Sequence, residues 1–256
     1  MNPLVQQLLT NLSRYGLNHW GVVAAGAYDN GAKSGLSIAE IAPGTKSILV
    51  VGNAGRAFWE AFMGDLRQSP DHLRDYDHPV DAYVSRAIQR SSAPITQLNH
   101  RWIEAAHDAP IHLDFRTLAV AAGLGAPSRL GLVIHPKYGP WMALRAACFL
   151  PLSLPNSKRV EDLCSDCAAP CVAACPGNAF SDRQWDAERC VTFHQESTDC
   201  SQSCASRAAC PVGSNMAYSG LQQRYHYNRK TGRKEVAQLL DIEGDCRAGV
   251  GPLWGV

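Results

Sequence analysis

"CSDCAAPCVAACPG" (164–177) and "CSQSCASRAACPVG" (200–213) stand on either side of a lone Cys190. Together these positions hold eight of the ten cysteines of the chain. The first run carries Cys164, Cys167, Cys171 and Cys175 in the order C-x2-C-x3-C-x3-C-P. The second supplies Cys200, Cys204 and Cys210, again closed by a proline, Pro211.

Three chemistries compete for such a run. Disulfides suit small secreted scaffolds, and this chain has 256 residues and no legible secretory leader. Zinc accepts C-x2-C pairs, but zinc ribbons separate two such knuckles by a long spacer. Iron–sulfur loops of the two-cluster kind read C-x2-C-x2-C-x3-C-P, and their fourth cysteine ligates the other cluster. Here Pro170 widens the middle gap by one residue. Eight cysteines match two four-cysteine clusters, and the Cys-Pro endings stop regular structure beside each. The spacing points to iron–sulfur, with zinc and disulfides as the alternatives.

Around this run the chain divides by composition. Charges nearly cancel, 24 basic against 23 acidic, so no bulk pull toward nucleic acid or membrane follows. No run approaches the roughly 20 apolar residues of a membrane span, and a reducing cytoplasm is the expected compartment. "PLVQQLLTNLSRYG" (3–16) predicts an amphipathic helix, with Leu4, Leu8 and Leu12 in phase. "WGVVAAG" (20–26) and "SILVVG" (47–52) predict buried strands, and "NAGRAFWEAFMGDL" (53–66) a helix after the second. "VDAYVSRAIQR" (80–90) and "ITQLNHRWIEAA" (95–106) predict further helices, broken at Pro94. "APIHLDF" (109–115) predicts a strand entering the helix "RTLAVAAGLG" (116–125), and "RLGLVIHP" (129–136) and "ALRAACFLPL" (143–152) two more strands. Strands alternating with helices predict an α/β (α+β) sheet with covered faces over residues 1–155. Residues 156–256 have few bulky aliphatics around the cysteines, so metal would hold that part together. Their tail, "LQQRYHYNRKTGRKEVAQLLDIEGD" (221–245), predicts one helix and a basic knot of Arg224, Arg229, Lys230, Arg233 and Lys234.

Two stretches carry a family resemblance. "LAVAAGLGAPSRLGLVIHPKYGPWMALRAACF" (118–149) and the order of the eight cysteines resemble epoxyqueuosine reductase and the corrinoid reductive dehalogenases. "HPKYGPWMALRAACFLP" (135–151) also resembles the cobalamin-processing (decyanase) protein. The resemblance implies a nitroreductase-like, cobalamin-type domain followed by a ferredoxin-like module with two [4Fe-4S] clusters. It implies base-off cobalamin, fed by an external donor of ferredoxin or flavodoxin type and acting on a small-molecule substrate. By position it assigns one cluster to Cys164, Cys167, Cys171 and Cys210, and the other to Cys175, Cys190, Cys200 and Cys204. The family's catalytic aspartate falls here on Ala109, leaving Asp108 and Asp114 as neighbouring proton-donor candidates. The family's tRNA-binding helical repeats and the dehalogenases' twin-arginine leader find no match.

His135, Tyr138, Gly139 and Trp141 are candidates for lining the corrinoid; the plain alternative is a turn shaped by Pro136, Gly139 and Pro140. Arg116 joins them at a strand-to-helix junction, where Asp114 equally reads as a helix N-cap. His194 reads as an ordinary histidine or as a group behind a cluster ligand, Cys148 as a buried apolar residue, and Cys246 as a spare thiol. The basic knot could hold phosphates of a nucleic acid or a cofactor tail, with Tyr225, His226 and Tyr227 for stacking. A solvated surface is the plainer reading, so a nucleic-acid partner is not expected. Cobalamin handling without a further substrate, or electron carriage without any corrinoid, are the competing functions.

Overall fold

The computed structural model describes residues 1–29, 37–106, 113–181, 184–198 and 200–244. Helix α1 (Pro3–Ser13) leads to β1 (His19–Ala24), the short helices α2 (Ala25–Asp29) and α3 (Ile38–Ile41), and β2 (Ser47–Ala54). Then come α4 (Ala57–Gln68), α5 (Asp71–Arg74), α6 (Pro79–Ser91), β3 (Arg101–Glu104), α7 (Phe115–Ala121), β4 (Ala126–Pro127), β5 (Val133–Ile134) and β6 (Met142–Leu150). The cysteine region contributes α8 (Pro170–Ala173), β7 (Phe180–Ser181), β8 (Gln184–Trp185), α9 (Ala187–Glu196) and α10 (Ala205–Ala208). Two helices, α11 (Gly220–Tyr227) and α12 (Arg229–Leu239), follow.

The main sheet has four strands in the order β1-β2-β6-β3, every neighbour antiparallel. Both faces are covered, as the alternation of strands and helices predicts. Leu49, Val51, Ala146 and Cys148 point into a core filled by Leu8 and Leu12 of α1, Phe58 and Phe62 of α4, and Tyr83 of α6. The intervening residues Ile48, Val50, Ala147 and Phe149 face a second core with Tyr28, Ile38 and Leu118. This period-two split is what a two-sided strand requires, and it explains why β2 is buried along its whole length.

Three expectations for residues 1–155 change. The segment 95–106 is not a helix: after a 3-10 turn at Ala93–Ile95 it becomes the edge strand β3, with Trp102 opposite Cys148. The strand expected over 129–136 shrinks to β5, paired with β4 apart from the main sheet, and His135 bridges Gly139 across a tight turn. The strand expected in "APIHLDF" lies largely outside the described residues; Leu113 and Asp114 are irregular and Phe115 already belongs to α7.

The tail holds two helices rather than one. Asn228 ends α11 with an extended backbone and caps α12, its Oδ1 accepting from the Thr231 amide at 3.1 Å. Tyr225 packs on Trp59 and Phe62, ring centres 5.1 and 5.8 Å apart, and joins Val236 and Ala237 in the first core. The basic knot is no uniform solvated surface either. Arg233 is 2% exposed and donates to the carbonyls of Leu73, Tyr76 and Asp77. Arg224 pairs with Glu235 at 2.7 Å. Among the described residues no helix is long and apolar enough to cross a membrane.

Candidate functional site

The cysteine loops bring their thiols into two groups. Cys171 and Cys210 are buried together against Leu130, and both feel the charges of Cys164 and Cys167. Cys175, Cys190, Cys200 and Cys204 line one cavity, where Cys175 and Cys204 act electrostatically on Cys190. Burial is the main force pushing the Cys171, Cys190 and Cys210 thiols upward; a metal would have to displace those protons. Backbone amides already point at sulfur: Ala179 N–H donates to Cys175 Sγ and Arg207 N–H to Cys204 Sγ, each at 3.4 Å.

None of the described cysteines is in a disulfide. Among the described residues no three His, Cys, Asp or Glu side chains close around a point that could hold a single metal ion. By cavity lining and electrostatic contact the eight thiols fall into two sets of four. Cys148 lies at 0% exposure inside the sheet, its thiol pushed far up by burial. Cys246 lies outside the described residues.

The cavity beside the second quartet has a volume of about 350 Å³. Its other wall is apolar, with Leu130, Leu132, Val133, Met142 and Leu144 from the turn and β6. That volume is at the small end for ligand sites. Four cysteines, Cys175, Cys190, Cys200 and Cys204, stand in its lining as candidate cluster ligands.

A second cavity, about 330 Å³, lies on the far side of Met142, Ala143 and Arg207. It is cationic: Arg145, Arg207, Arg229 and Arg233 contribute to it, with Asp77 and Asp81 as counter-charges. Arg145 Nε donates to Asn53 Oδ1 at 2.8 Å, and its guanidinium lies 4.8 Å from the Phe58 ring centre. Arg229 is 2.9 Å from His78 Nδ1. His226 sits among them, and burial, then the charges of Arg145, Arg207 and Arg229, depress its pKa to about 3. Sequence reading singled out Arg229 and Arg233 in the basic knot but missed Arg145 and Arg207, which come from β6 and α10 and share no motif with them.

Of the corrinoid-lining candidates, Arg116 lines the first cavity and donates to the Gly131 carbonyl at 3.3 Å. His135 and Tyr138 form a ring cluster with His19, centroids 4.9 and 6.0 Å from it. Burial, then the charges of His19 and Lys137, bring His135 down to about 4. Gly139 adopts φ +55°, and a Cβ there would stand 1.8 Å from the Val212 carbonyl oxygen. Trp141 is 1% exposed, packed against Tyr218 and Arg207. The turn thus docks the cysteine region onto the sheet.

Asp114 caps α7, accepting from the Arg116 and Thr117 amides and from the Thr117 hydroxyl. Burial raises its pKa, but those hydrogen bonds and the Arg116 charge outweigh it and hold the carboxyl below its ordinary range. Asp108 lies outside the described residues. His194 lines the first cavity, and its buried Nε2 has no hydrogen-bond partner there.

In sequence the chain is similar to epoxyqueuosine reductase. Two such enzymes from Synechococcus match, one (strain RCC307) at 34% identity over 122 residues, the other (strain CC9605) at 32% over 161. These matches cover 47% and 59% of the chain but only 36% and 46% of the relatives, so the chain spans less than half of their length. No protein-family profile matches. Among solved structures, the C. elegans B12-trafficking protein CblC, a human MMACHC homologue, superposes with a TM-score of 0.64 at 13% identity, covering 94% of this chain and 97% of that one. An epoxyqueuosine reductase bound to a tRNA stem loop gives 0.55 at 16%, with 85% and 67% covered. A catabolic reductive dehalogenase gives 0.50 at 13%, with 94% and 40% covered. At these identities the superpositions show a shared mixed α/β fold with a small antiparallel sheet. With one such fold solved on tRNA, the expectation of no nucleic-acid partner is not carried forward.

Proposed function

We propose that the chain is an iron–sulfur oxidoreductase. Residues 156–256 would hold two [4Fe-4S] clusters in a ferredoxin-like arrangement, and residues 1–155 would form the acceptor side. The single observation that carries this is the sorting of eight thiols into two quartets, one of which opens on a cavity walled by β6. Cys164, Cys167, Cys171 and Cys210 would hold one cluster; Cys175, Cys190, Cys200 and Cys204 the other. When bound, the clusters supply one-electron transfer, and a corrinoid would supply a reducible cobalt centre.

The chain's own residues do the rest. Amide donors to Cys175 and Cys204 lower the cost of charge on those sulfurs. The apolar wall would lower the polarity of the space between quartet and sheet. Arg145, Arg207 and Arg229 would hold the anionic group of a small substrate on the far side of Met142. Asp114 is a poor proton donor, because its hydrogen bonds keep it ionised. Electrons would enter from an external one-electron donor, in the cytoplasm.

Anaerobically purified protein should contain about eight iron and eight acid-labile sulfide. Stoichiometric zinc without sulfide, from iron-replete cells, would overturn the proposal. The small volume of the first cavity favours a second reading, electron carriage without corrinoid. Added cobalamin decides: a shift to the base-off spectrum supports the corrinoid, and an unchanged spectrum with both clusters intact supports the carrier.

A further inference from the structure

The two cavities share a wall of Met142, Ala143 and Arg207, of which only Arg207 is charged. Arg207 lines both. Its guanidinium carbon lies 4.8 Å from the Trp141 ring centre and 4.9 Å from that of Tyr218, and its Nε donates to the Pro140 carbonyl at 3.1 Å. No carboxylate among the described residues forms an ion pair with it. Toward the second quartet, its backbone amide donates to Cys204 Sγ, and the Tyr227 hydroxyl bridges the guanidinium and that same sulfur. Toward the other cavity it shares the surroundings of His226 with Arg145 and Arg229.

We propose that Arg207 couples anion occupancy of the arginine cavity to the electron affinity of the cluster on Cys175, Cys190, Cys200 and Cys204. The coupling rests on the cluster reading given above. One electron from an external donor adds one negative charge to that cluster, next to a fixed positive charge with no carboxylate partner among the described residues. Coulomb attraction in such half-buried surroundings is stronger than in water, so Arg207 favours the reduced state. An anion entering the neighbouring cavity offsets the guanidinium charge and lowers the reduction potential. Linkage makes the effect mutual: the reduced protein binds the anion more weakly by the same factor. Each tenfold difference in affinity appears as about 59 mV for a one-electron couple. A bound anionic substrate thus makes the neighbouring cluster a stronger reductant, and re-reduction afterwards loosens the product.

The test uses the full chain, purified anaerobically, with iron and sulfide counted. Dithionite titration followed by low-temperature electron paramagnetic resonance is run in sodium chloride and in sodium sulfate at matched ionic strength. Sulfate should lower one potential saturably, that of the signal removed by Cys204→Ser, and leave the other in place. Arg207→Gln should start at the lower potential and ignore sulfate. Tyr227→Phe, which keeps the ring and the arginines, should bind sulfate normally by calorimetry on oxidised protein and show a smaller shift. Failure of sulfate to bind, sulfate bound with both potentials unmoved, or a full shift surviving in Arg207→Gln would each overturn the coupling while the iron count leaves the cluster reading standing. Protein with zinc and no sulfide would sink both.

Discussion

His226 carries a measurable consequence of the arginine cavity. Its pKa falls from an ordinary 6.5 to about 3, so the unfolded chain takes up this proton before the folded one does. Between those values the unfolded state binds more protons, and stability drops as pH falls. Lowering the pH from 7.5 to 5.5 should cost about 1.4 kcal/mol through this residue, or about 4 °C in melting temperature for a chain of this size. The melting temperatures of wild type and His226→Gln, compared at pH 7.5 and 5.5, check it: the variant should lose less on acidification, because the other acid-sensitive groups cancel in the comparison. Gly139 offers a second residue-scale test. Its φ of +55° and the nearby Val212 carbonyl leave no room for a Cβ, so Gly139→Ala must push the Pro211–Gly213 segment away. Urea unfolding should show a loss of 2 kcal/mol or more, in line with strain and overpacking costs, and iron content should fall with it.

At the scale of elements, the two loop helices α8 and α10 each follow or contain part of a quartet, and the chain crosses between quartets after Cys171 and again after Cys204. Cys210→Ser should therefore damage the same resonance signal as Cys164→Ser, while Cys175→Ser behaves like Cys204→Ser. Pairing of Cys210→Ser with Cys200→Ser instead would refute the partition. This order of cysteines was legible without any structure, because ligand spacing is a local pattern. So were α1, β1, β2, α4, α6 and β6, whose apolar residues recur at the period of a single element. The edge strand β3 was not: its four residues, Arg101 to Glu104, are too few to display alternation, and the preceding "ITQLNH" suits a helix. The split of α11 from α12 depends on one cap, Asn228, hidden in a run of polar residues. The arginine cavity depends on residues far apart in sequence, Arg145, Arg207 and Arg229, and only the folded chain assembles them.

At the scale of the molecule, the cysteine region is held at both ends by the same core. The sheet precedes it, and α11 and α12 return to the sheet's helices through Tyr225, Val236 and Ala237. Tyr225→Ala removes a buried aromatic from contact with Trp59 and Phe62. It should cost about 3–5 kcal/mol, the usual range for deleting a large buried aromatic side chain. Denaturant unfolding monitored in the far ultraviolet checks the cost. A single transition shared by sheet and cysteine region is expected, because the tail ties the two together.

The docking of Tyr225 on Trp59 also sets an order of events during synthesis. The first helices and strands leave the ribosome with an aromatic face of α4 uncovered, and its cover is translated only after all eight ligand cysteines. Contacts spanning so much chain form slowly, so the nascent sheet waits, exposed, while the thiols become available. On the cluster reading proposed above, that interval is when clusters would be delivered to the open cysteine segment. Closure of α11 and α12 over the core then brings Tyr227 against Cys204 and seals the quartet from the side of the tail.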